Sequence, residues 1–230
     1  VSETTTVTPA GGTSIRIGSS GEFVTTPLTL AANTNQDIYF KDAGSFTIPK
    51  RKLVTYLYLY NLGSSVITGD ITGMELTYLR LSVLGSSVIT GDITGMKLTF
   101  LGLYDIGSSV ITGDITGMEL TILYLYGIGS SMTYGTNLLN ITSSNGIQLL
   151  GNTVFSANEY IQLFADAATC VTDGKWTAST KVMTISGGDN PGWSNVSEYY
   201  GTIVGGGVTV KVPLAWESGE DPFPPETPNP

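Results

Sequence analysis

GSSVITGDITGM occupies residues 63–74, and the same twelve residues occur unchanged at 85–96 and 107–118. The middle of this 230-residue chain therefore repeats with a period of 22 residues. A fixed period of about 20 to 50 residues indicates a solenoid, in which each repeat forms one coil that stacks on the next. The unchanged copies predict that this part of the chain winds as a series of equivalent coils.

The segments before, between and after the copies share a second pattern, apolar-x-x-L-x-L-x-x-apolar. They read VTYLYLYNL at 54–62, LTYLRLSVL at 76–84, LTFLGLYDI at 98–106 and LTILYLYGI at 120–128. This pattern resembles the leucine-rich repeat. With ITGDI before each segment, it is most similar to the repeats of bacterial surface and phage-associated proteins, and more distantly to the plant-type repeat. The resemblance implies a leucine-rich-repeat solenoid with a parallel β-sheet and few short helices.

Strand geometry predicts which side chains of these segments point inward. Alternate residues of a strand lie on the same face, so the two leucines of each L-x-L share one face and their neighbours share the other. The two leucine columns and the apolar residues that flank them should therefore form a continuous core. These residues are Leu57, Leu59, Leu79, Leu81, Leu101, Leu103, Leu123 and Leu125, with Val54, Leu76, Leu98 and Leu120 on one side and Leu62, Leu84, Ile106 and Ile128 on the other.

The chain divides by composition into four parts. Residues 1–52 are predicted to form a β-rich N-terminal cap and arm, 53–132 the leucine-rich repeats, 133–213 irregular repeats with an α/β C-terminal cap, and 214–230 an acidic Pro-rich tail. Short alternating runs predict strands at 14–17, 27–30, 37–40 and 46–48. In the third part, SANE at 156–159 is a capping box that opens a helix ending near Cys170. The remaining pattern predicts strands at 182–185 and 208–212 and a short helix at 196–204.

Composition and charge exclude several classes of partner. The net charge is −9 with only 10 Lys and Arg residues, which argues against nucleic acid because phosphate contacts need cations. No apolar run reaches the roughly 18 residues of a membrane span, so no insertion into a membrane is expected. The surface should be polar but weakly charged, since only 13% of residues are charged. Such a surface favours an extracellular protein, either secreted or on the surface of a cell or virion.

Most catalytic and cofactor-binding sites lack their residues here. The chain has no histidine, which removes the Ser-His-Asp triad and imidazole zinc sites. Cys170 is the single cysteine, so no internal disulfide is expected. No phosphate-binding Gly-Lys-Ser/Thr loop is present. We therefore expect a non-enzymatic protein without a cofactor. Asn140 and Asn195 match the N-glycosylation acceptor pattern.

Aromatic residues dominate the outward positions of the predicted strands, which form the concave sheet of a solenoid. These positions differ between copies, whereas the twelve-residue segment does not. They suit a contact surface for a glycan or a protein partner. The alternative is a cross-strand ladder that stabilises the sheet by about 0.2–1 kcal/mol per pair. The candidate binding residues are Tyr56, Tyr58, Tyr60, Tyr78, Arg80, Phe100, Tyr104, Tyr124 and Tyr126.

Asp70, Asp92 and Asp114 recur once per coil and should stack at the roughly 4.8 Å spacing of neighbouring strands. Three interpretations follow. Each aspartate can form a turn through its local hydrogen bonds, the row can bind calcium through several carboxylates, or two carboxylates about 5 Å apart can act as a glycosidase pair. An identical environment for each carboxylate counts against acid–base catalysis, which needs two different pKa values.

These features lead to three functional hypotheses. The first is a structural or adhesive subunit of an extracellular assembly such as a filament, in which the chain self-associates through its termini and residues 3–8 add a strand to a neighbouring copy or another protein. The second is a recognition module of a larger surface or virion fibre, which binds a glycan or a protein with its aromatic sheet. The third is a solenoid that cleaves glycans at its acidic residues.

Overall fold

The computed structural model describes the backbone of residues 5–7, 14–17, 28–30, 36–40, 46–48, 54–60, 62, 66–128, 131–151 and 155–213. Side chains are described from residue 47 onward within these ranges, except that of Val54. The Pro-rich tail at 214–230 lies outside the described residues. In chain order the elements are β1 Thr5–Val7, β2 Ser14–Ile17, β3 Leu28–Leu30, β4 Gln36–Phe40, β5 Phe46–Thr47, β6 Val54–Tyr60, β7 Ile67–Asp70, β8 Tyr78–Ser82, β9 Val88–Asp92, β10 Phe100–Tyr104, β11 Val110–Asp114, β12 Ile122–Tyr126, β13 Met132–Thr133, β14 Ile147–Leu150, α1 Ala157–Thr172, β15 Lys181–Ile185, α2 Trp193–Gly205 and β16 Val208–Lys211.

The fold is a parallel β-solenoid built on one long sheet. This sheet contains nine strands in the order β16-β15-β14-β12-β10-β8-β6-β4-β2, and every neighbouring pair is parallel. Within the repeats the register keeps equivalent residues side by side, so that Leu57 pairs with Leu79 and Leu101 pairs with Leu123. The inward leucine columns predicted from the L-x-L pattern are therefore present.

A second sheet closes the other side of the repeat coils. It contains β5, β7, β9, β11 and β13, again in parallel. The ITGD residues of the three copies lie in β7, β9 and β11, whereas the sequence interpretation placed their aspartates in turns. Their register is offset, because Thr68 pairs with Val88 and Val110 pairs with Thr90, residues 20 apart rather than 22. Among β7, β9 and β11, each strand is thus displaced by two residues relative to its copy in the previous coil.

The core lies between the two sheets. The described members of the predicted columns are all buried, with exposed fractions of 9% or less. Further columns from the twelve-residue segment complete this core. They consist of Ile67, Ile89 and Ile111, of Ile71, Ile93 and Ile115, and of Met74, Met96 and Met118.

The N-terminal part continues the same sheet. Strands β2 and β4 pair in parallel with each other, and β4 pairs with β6. The strands predicted at 14–17, 27–30, 37–40 and 46–48 correspond to β2, β3, β4 and β5 within one or two residues. The arm assigned to strand addition contributes β1, which pairs with β3 of the same chain.

The C-terminal part returns through helices instead of strands. Helix α1 connects β14 to β15, and α2 connects β15 to β16. The predicted capping box is formed at α1, where the backbone N–H and the hydroxyl of Ser156 donate to Glu159 Oε2, both at 2.7 Å. The predicted helix at 196–204 begins three residues earlier, at Trp193. Within the described residues, neither helix is long and apolar enough to cross a bilayer.

Helix α1 also ends the second sheet with two carboxylates. Glu159 accepts the backbone N–H of Tyr134 at 2.6 Å, and Asp166 accepts that of Asn137 at 2.7 Å. Asp166 further accepts the Tyr134 hydroxyl at 2.8 Å. Burial raises the pKa of Asp166 despite these hydrogen bonds. The carboxylates therefore accept N–H groups at the place where another coil would otherwise stack.

Candidate functional site

The outer face of the nine-stranded sheet carries the predicted binding residues in three rows that run across the strands. Strand register defines these rows. The first row is Tyr56, Tyr78, Phe100 and Ile122; the middle row is Tyr58, Arg80, Gly102 and Tyr124; the last row is Tyr60, Ser82, Tyr104 and Tyr126. Side chains in one row lie on neighbouring coils, roughly 4.8 Å apart at the backbone.

The first row forms an aromatic stack. The ring centroids of Tyr56 and Tyr78 are 4.0 Å apart, and those of Tyr78 and Phe100 are 4.1 Å apart. Burial and the hydrogen bond with Tyr56 raise the pKa of the Tyr78 hydroxyl. The faces of these three rings are in contact with one another. Their stacking has the geometry of a cross-strand ladder, the alternative to a contact surface.

The middle and last rows contain a groove of about 300 Å³. It forms because two positions in otherwise bulky rows carry almost no side chain, Gly102 on β10 and Ser82 on β8. The large polar and aromatic side chains that line it are Tyr60, Arg80, Tyr104, Tyr124, Tyr126 and Gln148. Five of these six belong to the predicted set, and the groove brings them together.

Gly102 is buried beneath its neighbours. A Cβ at this position would lie 2.9 Å from Cε1 of Phe100 and 3.6 Å from Cγ of Arg80. The Phe100 ring therefore lies against the glycine, as aromatic side chains often do on glycines in sheets. Any larger residue at position 102 would displace this ring and fill the floor of the groove.

Arg80 is held against two tyrosine rings at the wall of the groove. Its guanidinium carbon lies 5.1 Å from the centre of the Tyr58 ring and 5.8 Å from that of Tyr60, both within the range of cation–π attraction. No described carboxylate lies within 4.0 Å of the Arg80 guanidinium. The described side chains form an ion pair elsewhere, between Lys175 and Asp173. The groove thus carries a positive charge that no described carboxylate neutralises.

The opposite wall presents exposed aromatic surface and polar groups. Tyr104 is 47% and Tyr126 is 40% exposed, and their ring centroids are 4.7 Å apart. The Tyr124 hydroxyl lies 3.3 Å from the Ser143 hydroxyl, and the amide of Gln148 donates to the carbonyl of Asn145 at 3.3 Å. These two hydrogen bonds hold Tyr124 and Gln148 in place, whereas the Tyr104–Tyr126 pair faces solvent.

Val83, which also lines the groove, has an unusual backbone conformation with a φ of 52°. The equivalent positions Asp105 and Gly127 have φ values of 48° and 66°. This left-handed region suits glycine, asparagine and aspartate but strains a β-branched residue. Hydrogen bonds to neighbouring coils hold Val83 there, because its N–H donates to the Tyr104 carbonyl and its carbonyl accepts from Leu62. The strained residue therefore lies at the edge of the groove.

The three repeated aspartates are not direct neighbours. The two-residue offset of the second sheet places Thr90 beside Asp70 and Thr112 beside Asp92. From strand spacing and rise, successive aspartates are then roughly 8 Å apart at the backbone, not the 4.8 Å expected from the sequence. No group of three or more His, Cys, Asp or Glu in the described part of the chain could hold a metal ion.

Each aspartate instead makes local hydrogen bonds. The backbone N–H of the residue two positions later donates to its carboxylate, from Thr72 to Asp70 at 2.9 Å and from Thr94 to Asp92 at 2.8 Å. Hydrogen bonds from the threonine hydroxyl and backbone N–H lower the pKa of Asp92 and of Asp114. The geometry is that of the turn-forming interpretation, at the end of each short strand.

The other predicted positions lie away from the groove. Asn140 is exposed in an irregular segment, and Asn195 is exposed near the start of α2, where its side-chain amide donates to the Pro191 carbonyl. Cys170 is a buried free thiol whose pKa is raised by burial. Sequence reasoning missed Ser82, Gly102 and Gln148 as groove residues. The signal for the first two was their small size between aromatic neighbours, because a missing side chain opens space.

Comparison of the chain with known protein families, with curated proteins and with solved structures finds no match. The function is therefore inferred from the chemistry of the groove itself.

Proposed function

We propose that this chain is a non-enzymatic extracellular leucine-rich-repeat module that recognises a glycan in the groove above Gly102 and Ser82. The observation that carries the proposal is the groove itself, an open site of about 300 Å³ between Arg80 and the exposed Tyr104–Tyr126 pair. The 22-residue period and the inward L-x-L columns support the repeat type. The weakly charged, polar composition supports the location.

A sugar suits this site better than a protein segment does. Small-ligand sites span about 300–1,000 Å³, so this groove has the size for a mono- or disaccharide but not for a helix. Tyrosine rings offer flat apolar faces together with hydroxyl groups, which matches the mixed surface of a pyranose. Tyr104 and Tyr126 supply such faces, Arg80 supplies hydrogen-bond donors at the opposite wall, and Gln148 supplies them on the side of Tyr126.

Binding to a glycan array, followed by titration calorimetry on the best glycan, tests the proposal. Tyr104→Ala and Tyr126→Ala should each weaken binding by about tenfold, since aromatic contacts contribute about 0.5–1.5 kcal/mol beyond their area. Leu138→Ala is the control, because Leu138 is 56% exposed and does not line the groove. No binding to any glycan, or equal loss in the control, would contradict the proposal.

Self-assembly is a second candidate function. The two end strands of the nine-stranded sheet, β2 and β16, each have one strand neighbour among the described strands, and open edges of this kind accept further strands. The arm at residues 3–8 is less suited to this role, because β1 already pairs with β3.

Electron microscopy with light scattering over micromolar concentrations tests assembly. Ordered polymers that disappear on deletion of residues 1–10 would support strand addition by the arm. Polymers that survive the deletion would remove the arm from the interface, and a monomer that persists over the whole range would leave the groove as the functional surface.

A further inference from the structure

We infer that the groove is selective for a sugar that bears a carboxylate, which binds to Arg80 while the sugar ring lies against Tyr104 and Tyr126. This inference rests on the proposed function and narrows the class of glycan. It follows from three properties of the groove, namely its positive charge, its dimensions and its chemical asymmetry.

The first property is the charge of Arg80. No described carboxylate neutralises its guanidinium, although the chain as a whole has a net charge of −9. The Tyr58 and Tyr60 rings hold the guanidinium at the groove wall. A guanidinium fixed in this way can form two parallel hydrogen bonds to a carboxylate, with little loss of side-chain freedom on binding.

The second property is the distance between the two walls. Arg80 lies on β8 and Tyr126 on β12, with β10 between them, so the two strands are about 9.6 Å apart. In the middle row, Gly102 on β10 leaves the space between Arg80 and Tyr124 without a side chain, whereas Tyr104 on β10 borders the same space in the last row. A pyranose ring with an attached carboxyl group therefore fits with its acid at one wall and its ring at the other.

The third property is that only one wall is charged. The groove lining contains one cation, Arg80, and no acidic residue. The net negative charge of the protein repels long polyanions, so a chain with many sulfates would meet one favourable contact and many unfavourable ones. A glycan with an isolated carboxylate, such as a terminal acidic sugar on a neutral chain, satisfies the groove without this repulsion.

The probe is an array of uronate- and sialate-bearing glycans, each printed beside its methyl ester and beside a sulfated analogue of the same chain. The ester keeps the ring and removes the charge. We expect the acids to bind about tenfold to a hundredfold more tightly than their esters, as the loss of a charged hydrogen bond requires. Affinity for the acids should fall as salt is raised.

Each other outcome has a definite meaning. Equal binding of acid and ester, or a preference for neutral or sulfated glycans, overturns the carboxylate inference and leaves glycan recognition standing. No binding to any member of the array overturns both.

A charge-matched pair of variants assigns the selectivity to Arg80. Arg80→Gln should remove the preference for acid over ester, and Arg80→Lys should keep part of it because the charge remains without the planar fork. Lys211→Gln makes the same change of charge at the end of the same row, on β16, and should leave both affinities unchanged. Tyr104→Ala should weaken acid and ester equally. A normal acid preference in a folded Arg80→Gln protein would contradict the inference.

Discussion

The repeat coils and the C-terminal coils share one sheet but return to it in different ways. From β6 to β12 the coils return through short strands of the second sheet, whereas β14, β15 and β16 are joined by α1 and α2. The repeat coils have one sequence copied three times, and the helical coils share none of it. The hydrogen bonds of the two return elements explain this difference.

A return strand depends on the coils on both sides of it. The buried N–H of Ile89 donates to the hydroxyl of Ser109 at 2.9 Å, and that of Asp114 donates to the hydroxyl of Thr94 at 3.0 Å. A helix satisfies most of its backbone groups internally and needs only an apolar face against the core. Return strands therefore constrain each copy to match the next, while helices leave the sequence free to change.

The largest test of this contrast uses the same substitution in both kinds of coil. A Cβ on Gly91 would lie 2.4 Å from Cγ1 of Ile71 and 3.1 Å from the backbone nitrogen of Thr72, both in the previous coil. Gly91→Ala should thus reduce the free energy of unfolding by about 1–3 kcal/mol.

Gly201→Ala in α2 should have the opposite sign. Nothing lies within 4 Å of a Cβ at this position, and alanine stabilises a helix interior by about 0.5–1 kcal/mol relative to glycine. Urea unfolding of both variants gives the comparison. Equal effects in the two coils would refute the idea that contact between coils is what restricts the repeat.

The next test removes one hydrogen bond between coils. Ser109→Ala leaves the buried N–H of Ile89 without its acceptor, at an expected cost of about 1–3 kcal/mol. Thr169→Ala on α1 is the control, since that exposed hydroxyl donates only within its own helix and its loss should change stability by less than about 0.5 kcal/mol. Amide hydrogen exchange should show Ile89 losing protection in the first variant, and unchanged exchange there would argue against the bond.

A smaller gain in stability is expected at the strained turn of the repeat. Val83→Asn places a residue suited to a φ of 52° beside the groove and should stabilise the chain by about 1 kcal/mol. Asp105→Asn, at a φ of 48°, replaces a residue already suited to this region and should change little. Thermal unfolding measures both, and a destabilised Val83→Asn protein would show that the valine contributes more by packing than it costs in strain.

The smallest effect is a difference in pH dependence between the two kinds of coil. The pKa of Asp166 is raised in the folded chain, so its contribution to stability is greatest at low pH and falls as the pH rises through its folded pKa. The pKa of Asp114 is lowered, so its contribution is present above the unfolded pKa and is lost as the pH falls through its folded value. Urea unfolding of Asp166→Asn and Asp114→Asn from pH 3 to 7 should show opposite slopes relative to the parent chain, and parallel slopes would contradict this assignment.

The sequence predicted the elements whose signal lies in one coil. The leucine columns follow from L-x-L, and α1 follows from the capping box at Ser156 and Glu159. The second sheet was missed because ITGD contains two turn-forming residues. Gly91 occupies a strand there for a reason that lies in the previous coil, where Ile71 fills the space. The 22-residue period does not predict that strands of the second sheet pair with an offset of two residues.

The sequence predicted the large side chains that line the groove but not the small residues that leave its space, for a similar reason. Sequence comparison of the copies identified Tyr104, Tyr124 and Tyr126 as variable outward residues, and it also identified Arg80. Gly102 was not among the predicted binding residues, although its missing side chain leaves the space of the groove. Which aromatic rings face solvent and which stack on one another depends on side-chain packing, and the 4.0 Å Tyr56–Tyr78 stack could not be read from spacing.

The two carboxylates that end the second sheet have a consequence for the length of the molecule. Glu159 and Asp166 accept hydrogen bonds from Tyr134 and Asn137, which follow the last copy, and among the described residues only that copy contacts the residues of the ending, for example through the N–H of Met118 that donates to Asn137. A further 22-residue unit inserted between two copies would meet the same residues above and below that the middle copy, 85–96, meets now. The number of coils can therefore change one unit at a time while both ends stay as they are. Each added unit would bring new outward residues beside the groove, so a change in length is also a change in what the surface can bind.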